Sequence, residues 1–167
     1  MTISLYQASV PVLVRGLTQL NVILDKGEAH AATKKIALEV LPGTRLRPDM
    51  LPLSRQVQIA TDNAKGFVAR MAGQEVPRYE DNEATFADLK ARVEKTLAFV
   101  QGFRPEDIDG KEDKVITFKL GPTEMTFNGQ QYLTGFLLPN FFFHVTMAYA
   151  ILRECGVELG KRDYLGN

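Results

Sequence analysis

Apolar residues recur along this chain at steps of three, four and seven, the spacing that lines one face of an α-helix. Four long segments carry that spacing. Leu13, Leu17, Leu20, Leu24 and Ala31 form a stripe from about Ser4 to Lys34, with Pro11 expected to mark a start or a kink because it has no amide hydrogen. A second stripe from Leu53 to Ala72 contains Val57, Ala60, Ala64, Phe67 and Met71, and Gly73 supplies its stop. The third opens at Thr85, with Asp88 at capping-box spacing, and carries Phe86, Leu89, Val93, Leu97 and Val100 up to Gly102. A fourth begins near Gly129, is disturbed at Pro139 and runs to Cys155, where Gly156 caps it.

Two stretches depart from the helical period. Val115, Phe118, Leu120, Met125 and Phe127 surround Gly121-Pro122 in a pattern that predicts a short two-stranded hairpin. An isolated hairpin is marginal, so it is expected to lie against the helices. Leu38 to Pro52, rich in proline, reads as a folded connection with one short helical turn. The expectation is a mainly α protein, a four-helix bundle with a short β-hairpin before the last long helix, forming one domain over residues 1–167.

Composition narrows the chemistry. Lys and Arg total 20 and Asp and Glu total 20, so neither a nucleic-acid nor a membrane partner is suggested by charge. With only His30, His144 and Cys155, a disulfide framework and a site taking three histidines from one chain are excluded. Phe136–Leu152, the longest strongly apolar stretch, reads as too short and too polar to span a membrane, and the lone thiol suits a reducing cytoplasm. There is no glycine-rich phosphate loop, G-x-S-x-G elbow or H-E-x-x-H motif.

At 100° per residue, His144 falls with Leu137, Ala148, Ile151 and Cys155, opposite Thr146 and Arg153. It therefore faces inward. Its imidazole is either a hydrogen-bonded core group or a ligand contact, with Asn140 one turn earlier as the nearest polar candidate. Arg55, Gln58, Asp62 and Lys65 form a polar stripe on the second helix, which is either a solvated face or turns Gln58 and Asp62 toward His144. His30 sits at the flank of the first stripe, and Cys155 reads as a small buried hydrophobe. The fourth helix is aromatic nearly all round, and Val14 and Val22 lie opposite the first helix's main stripe. Together these favour a homodimer.

Four blocks also carry a resemblance: Ser4-Leu5-Tyr6-Gln7-Ala8-Ser9-Val10-Pro11, Asp49-Met50-Leu51-Pro52-Leu53 with Arg55-Gln56-Val57-Gln58, Leu138-Pro139-Asn140-Phe141-Phe142-Phe143-His144-Val145, and Leu159-Gly160-Lys161-Arg162-Asp163-Tyr164-Leu165-Gly166. They resemble a bacterial family of unassigned function, similar in turn to the DinB-like superfamily of four-helix bundles, many of them metal-dependent enzymes such as thiol-dependent transferases and isomerases. The resemblance implies three metal-binding histidines, one on the second helix and an i, i+4 pair on the last. His144 fits the first of that pair, but Ala148 stands at i+4 and the helix-two position falls near Gln58.

Three readings follow. In the first, a polar pocket of His144, Asn140, Gln58 and Asp62 binds a small ligand, with a degenerate metal site and no cofactor expected. In the second, His144, Asp62 and Asp49 hold a divalent metal in an atypical enzyme of hydrolase or thiol-transferase type. The third is a structural or regulatory homodimer without pocket chemistry.

Overall fold

A computed structural model of the chain describes residues 2–166. The elements follow in order as α1 (Leu5–Lys34), α2 (Val40–Gly43), α3 (Leu53–Ala72), α4 (Phe86–Gln101), α5 (Pro105–Ile108), β1 (Ile116–Leu120), β2 (Thr123–Phe127), α6 (Gly129–Gln131), a π-helical turn (Tyr132–Leu137), α7 (Leu138–Glu154) and α8 (Lys161–Leu165).

The four long helices are the four stripes of the sequence. Local chemistry sets their ends. Ser4 Oγ accepts from the Gln7 amide while the Gln7 side chain accepts from the Ser4 amide, and Thr85 and Asp88 do the same for α4. Gly73 closes α3 at φ 77°, a left-handed conformation that costs glycine little. Of the two roles expected of Pro11, a helix start or a kink, the structure overturns the start. The proline lies inside α1, in the second turn, because the Ser4 cap starts the helix upstream of it.

α1 packs beside α4 and α7, and α3 packs beside the same two, so α1 and α3 sit diagonally. Two connections therefore cross the bundle, which is why the α1–α3 and α4–α7 links are long. Gly16 meets Phe141 and Gly27 meets Leu152, so α1 and α7 run parallel. Gln56 meets His144 and Arg70 meets Tyr132, so α3 and α7 run antiparallel. One contiguous core results, in which Leu13, Leu17, Leu20, Phe67, Phe141 and Ile151 are all fully buried. Each such large side chain contributes roughly 1.5–3 kcal/mol.

The hairpin pairs antiparallel, with Ile116 opposite Phe127 and Leu120 opposite Thr123, and turns at Gly121 with φ 59°. It is held by aromatic contact. Phe118 and Phe127 lie 5.3 and 6.0 Å from Tyr132, and the Arg70 guanidinium covers the Phe118 ring at 4.4 Å while donating to the Tyr132 hydroxyl at 2.9 Å. The disturbance expected at Pro139 takes the form of the π-helical turn, where the Leu138 amide bonds back to Leu133, five residues earlier. Proline cannot donate to the ladder, and the wider register accommodates its missing hydrogen.

Helices α6 and α7 with the π turn make a continuous stretch, Gly129–Glu154, long and apolar enough by length and composition to cross a membrane. The helical stretch is longer than Phe136–Leu152, which reverses the expectation that it is too short. Yet its residues Phe141, Val145, Ala148, Ile151 and Leu152 are packed in the bundle core, which accounts for the composition. The second apolar face of α1 has an intramolecular cover as well. α8 folds back along it, with the Leu165 carbonyl accepting from Arg15 Nε at 2.9 Å and Asp163 pairing with Lys26 at 2.6 Å. Val22 shares that helix face with Arg15 and Lys26. Tyr164 also packs edge-on to Tyr149 of α7, 6.1 Å between centroids.

Candidate functional site

Helix α7 carries His144 on the side that meets α3, and only 8% of the residue is exposed. Its Nδ1 lies 2.7 Å from Gln56 Oε1. The Gln56 amide nitrogen donates to the Leu51 carbonyl at 3.0 Å, which fixes the amide with its oxygen toward the imidazole. His144 Nδ1–H therefore donates, and Nε2 keeps its lone pair as an acceptor. Burial pushes the imidazole below its ordinary pKa of 6.5, so the neutral ring is the favoured form near pH 7. The Phe143 ring stands edge-on to it at 5.2 Å and is 53% exposed.

This partner is not the one expected. Asn140, half-buried one turn before His144, is not what holds the imidazole; Gln56 from the facing helix does so. Two residues along a helix turn through about 200°, so Gln56 and Gln58 project to opposite sides of α3. The signal for Gln56 lay in the sequence, as a polar residue set into the Leu53, Ala60, Phe67 stripe. Farther along the same face, seven residues on, Asn63 Nδ2 is buried without a hydrogen-bond partner; Asn21 Oδ1 is the other such atom found among the described residues. An unpaired buried donor costs about 1–3 kcal/mol, and it calls for an explanation.

Gln58 and Asp62 turn toward α4 instead, and they do not meet His144. There Arg92, whose side chain is 2% exposed, gathers them. Its Nη2 donates to Asp62 at 2.7 Å, its Nε to Thr61 at 2.8 Å and its Nη1 to Glu83 at 2.9 Å, with Asp81 at 3.1 Å. Glu83 also accepts from Gln58 Nε2 at 2.7 Å, and Arg55 Nη1 bridges Gln58 and Asp81 at 2.6 Å each. Burial works to raise the Asp81 carboxyl, but the hydrogen bond from Arg55 and the charges of Arg92 and Arg55 hold it below the ordinary carboxylate range. The polar stripe is thus neither free solvated surface nor part of the His144 seam. It is an inter-helix network.

The remaining candidates lie apart. His30 is half-buried in a groove between α1 and Gly156–Glu158, about three turns past His144. Cys155 is half-buried, and burial pushes its thiol up against the opposing hydrogen bond from Thr44, which disfavours a nucleophilic thiolate.

The profile of a domain of unknown function, DUF1993, matches residues 5–165. The chain belongs to the DUF1993 family. Among solved structures, this DUF1993 chain is similar to a crystal structure of a DinB family member from Shewanella denitrificans, with TM-score 0.86 and 39% identity, covering 98% of this chain and 92% of that one. Its fold is accordingly the DinB-like bundle. No curated protein matches its sequence.

The three-histidine metal centre implied by the DinB resemblance does not fit these residues. Ala148, at i+4 from His144, is fully buried and offers no donor atom. Across the seam stands the Gln56 amide, whose oxygen is committed to His144 Nδ1. Among the described residues, no three His, Cys, Asp or Glu side chains gather closely enough to hold a metal ion. The atypical set of His144, Asp62 and Asp49 fails for the same reason. Asp62 is paired with Arg92 on the other face of α3, and Asp49 is exposed in the connection before it.

The neutral histidine has a consequence for stability. Above about pH 6.5 the folded and unfolded chains both hold it uncharged, and nothing is lost. As pH falls below that value, the unfolded chain takes up a proton that folded His144 resists, so stability falls by at most about 1.4 kcal/mol per pH unit. Urea unfolding of the wild type and His144→Gln at pH 7 and pH 5 checks this. The wild type should lose more than the variant on acidification, and an unchanged gap between them contradicts the assignment.

Proposed function

We propose that this DUF1993 chain is a ligand-binding bundle that works without a three-histidine metal centre, and that it recognises its ligand at the α3–α7 seam around His144. The observation that carries the reading is the Gln56–His144 hydrogen bond at 2.7 Å, with Gln56 itself anchored on Leu51. Such an arrangement preorganises a neutral imidazole with Nε2 as an acceptor of fixed direction. Half-buried Asn140 lies on the α7 side of the seam, and Phe143 offers apolar area beside the ring. The fitting class is a small neutral molecule that carries a hydrogen-bond donor on an apolar body.

Small lactams have that chemistry, and their N-methyl counterparts lack the donor. Imidazole nitrogen NMR should show the neutral Nδ1–H tautomer in the free protein, and a shift of the Nε2 resonance on adding lactams such as 2-piperidone. The N-methyl forms should leave it in place, and His144→Ala should lose binding. Lactams without effect, or a His144→Ala protein that binds them as the wild type does, would remove the proposal. A parallel zinc titration should show no tightly held equivalent.

A further inference from the structure

Residues 74–84 join α3 to α4 without regular secondary structure, and they lie as a strap across the α3–α4 face. What fastens the strap is polar. The Tyr79 ring sits among three cations, with Lys95 at 4.3 Å, Lys65 at 4.7 Å and Arg92 at 5.2 Å from its centroid. Asp81 is clamped between Arg55 at 2.6 Å and Arg92 at 3.1 Å. Glu83 is clamped between Arg92 at 2.9 Å and the Gln58 amide at 2.7 Å.

Beneath the strap the helices contribute Arg55, Lys65 and Arg92 against one carboxylate, Asp62, which pairs with both Arg92 and Lys65. Lys95 of α4 adds a further cation beside Tyr79, and of the strap's carboxylates Asp81 and Glu83 are the two that pair with the guanidiniums. With the strap away Arg92 keeps Asp62 and Thr61 through Nη2 and Nε, but its Nη1 loses both Asp81 and Glu83 and is left without a carboxylate. Each strap carboxylate occupies a seat of the kind that binds a free carboxylate: two donors from different side chains converging on one group. Beside them lies an open cleft of about 590 Å³ between strap and α4, where the cations Arg78, Arg92 and Lys95 face the carboxylates Glu80, Glu83 and Asp88.

We propose that the strap is an internal surrogate for a small dicarboxylate, whose two groups take the seats between Arg55 and Arg92 and between Arg92 and Gln58 when the strap lifts. A dicarboxylate is favoured over a single compact anion because the seats are two and share only Arg92. The site lies on the opposite side of α3 from His144, so the two proposals stand or fall separately.

The test uses the whole chain with malonate, succinate and glutarate, against acetate and inorganic phosphate at matched ionic strength. Hydrogen exchange should show the amides of residues 79–83 exchanging faster with one of the dicarboxylates, while α1 keeps its protection. The Asp81→Asn/Glu83→Gln variant, with its surrogate groups neutralised, should bind that dicarboxylate about tenfold more tightly than the wild type, since less of the protein is held closed. Arg55→Gln, a change at a 40%-exposed side chain, should weaken binding in that background. The proposal is overturned if no dicarboxylate binds the double variant, or if acetate and phosphate act as strongly as the dicarboxylates.

Discussion

Arg92→Met should lower the unfolding free energy by about 3 kcal/mol, the largest single-residue effect expected on the polar side of the bundle. The guanidinium is 2% exposed and meets Asp62, Asp81 and Glu83, so its removal takes away the one cation the three carboxylates share and leaves them only Lys65, Arg55 and the Gln58 amide. The figure stays at the low end of the usual range for a broken buried pair because Asp62 and Asp81 are about 40% exposed and can rehydrate. Urea unfolding at pH 7 measures it, and a loss below about 1 kcal/mol would mean that the network is surface decoration. Acid provides the sign check. Asp81 is held below its ordinary pKa, so its contribution is complete above the usual carboxylate range and fades as pH falls through the lowered value. The wild type should therefore lose more stability than Arg92→Met on acidification through that window.

Gly16→Ala should cost about 2–3 kcal/mol, the corresponding effect on the apolar side. A Cβ at Gly16 would stand 2.4 Å from Phe141 Cε1 and 2.8 Å from Cζ, and that ring is fully buried in the core. Neither helix can absorb the overlap without moving, because the ring is enclosed on its other sides. Phe141→Leu removes the ring atoms at fault and opens a cavity of its own. The double variant should then be more stable than the sum of the two single losses predicts, with a coupling of at least about 1 kcal/mol in a thermal or urea cycle. Strict additivity would show that the α1–α7 approach does not depend on this glycine.

The sequence was most informative where one helix suffices. Periodicity placed His144 with Leu137, Ala148, Ile151 and Cys155; the first four are buried in the structure, whereas Cys155, read as a buried hydrophobe, is only half-buried at the helix end. The caps at Thr85 and Gly73, the hairpin around Gly121 and the interruption at Pro139 were likewise legible, because each depends on residues within a turn or two. Pro11 does not mark the start of α1, because the Ser4 capping box begins the helix at Leu5, upstream of it, and a long, packed helix absorbs one missing donor. Part of the second face of α1 is covered within the chain by a short C-terminal helix that has no long apolar period to announce it.

The candidate site was half legible. Gln58 and Asp62 were correctly seen as one stripe, since spacing within α3 fixes that; what the stripe would face was open. Sequence determined the helices, their buried faces and the departure at Ala148 from a histidine pair. Only the tertiary structure decided that Gln56 meets His144 while Gln58 and Asp62 meet Arg92. The reason is physical: a helical period fixes angles about one axis, but the neighbour at each angle is chosen by how four helices and their two crossing connections pack together.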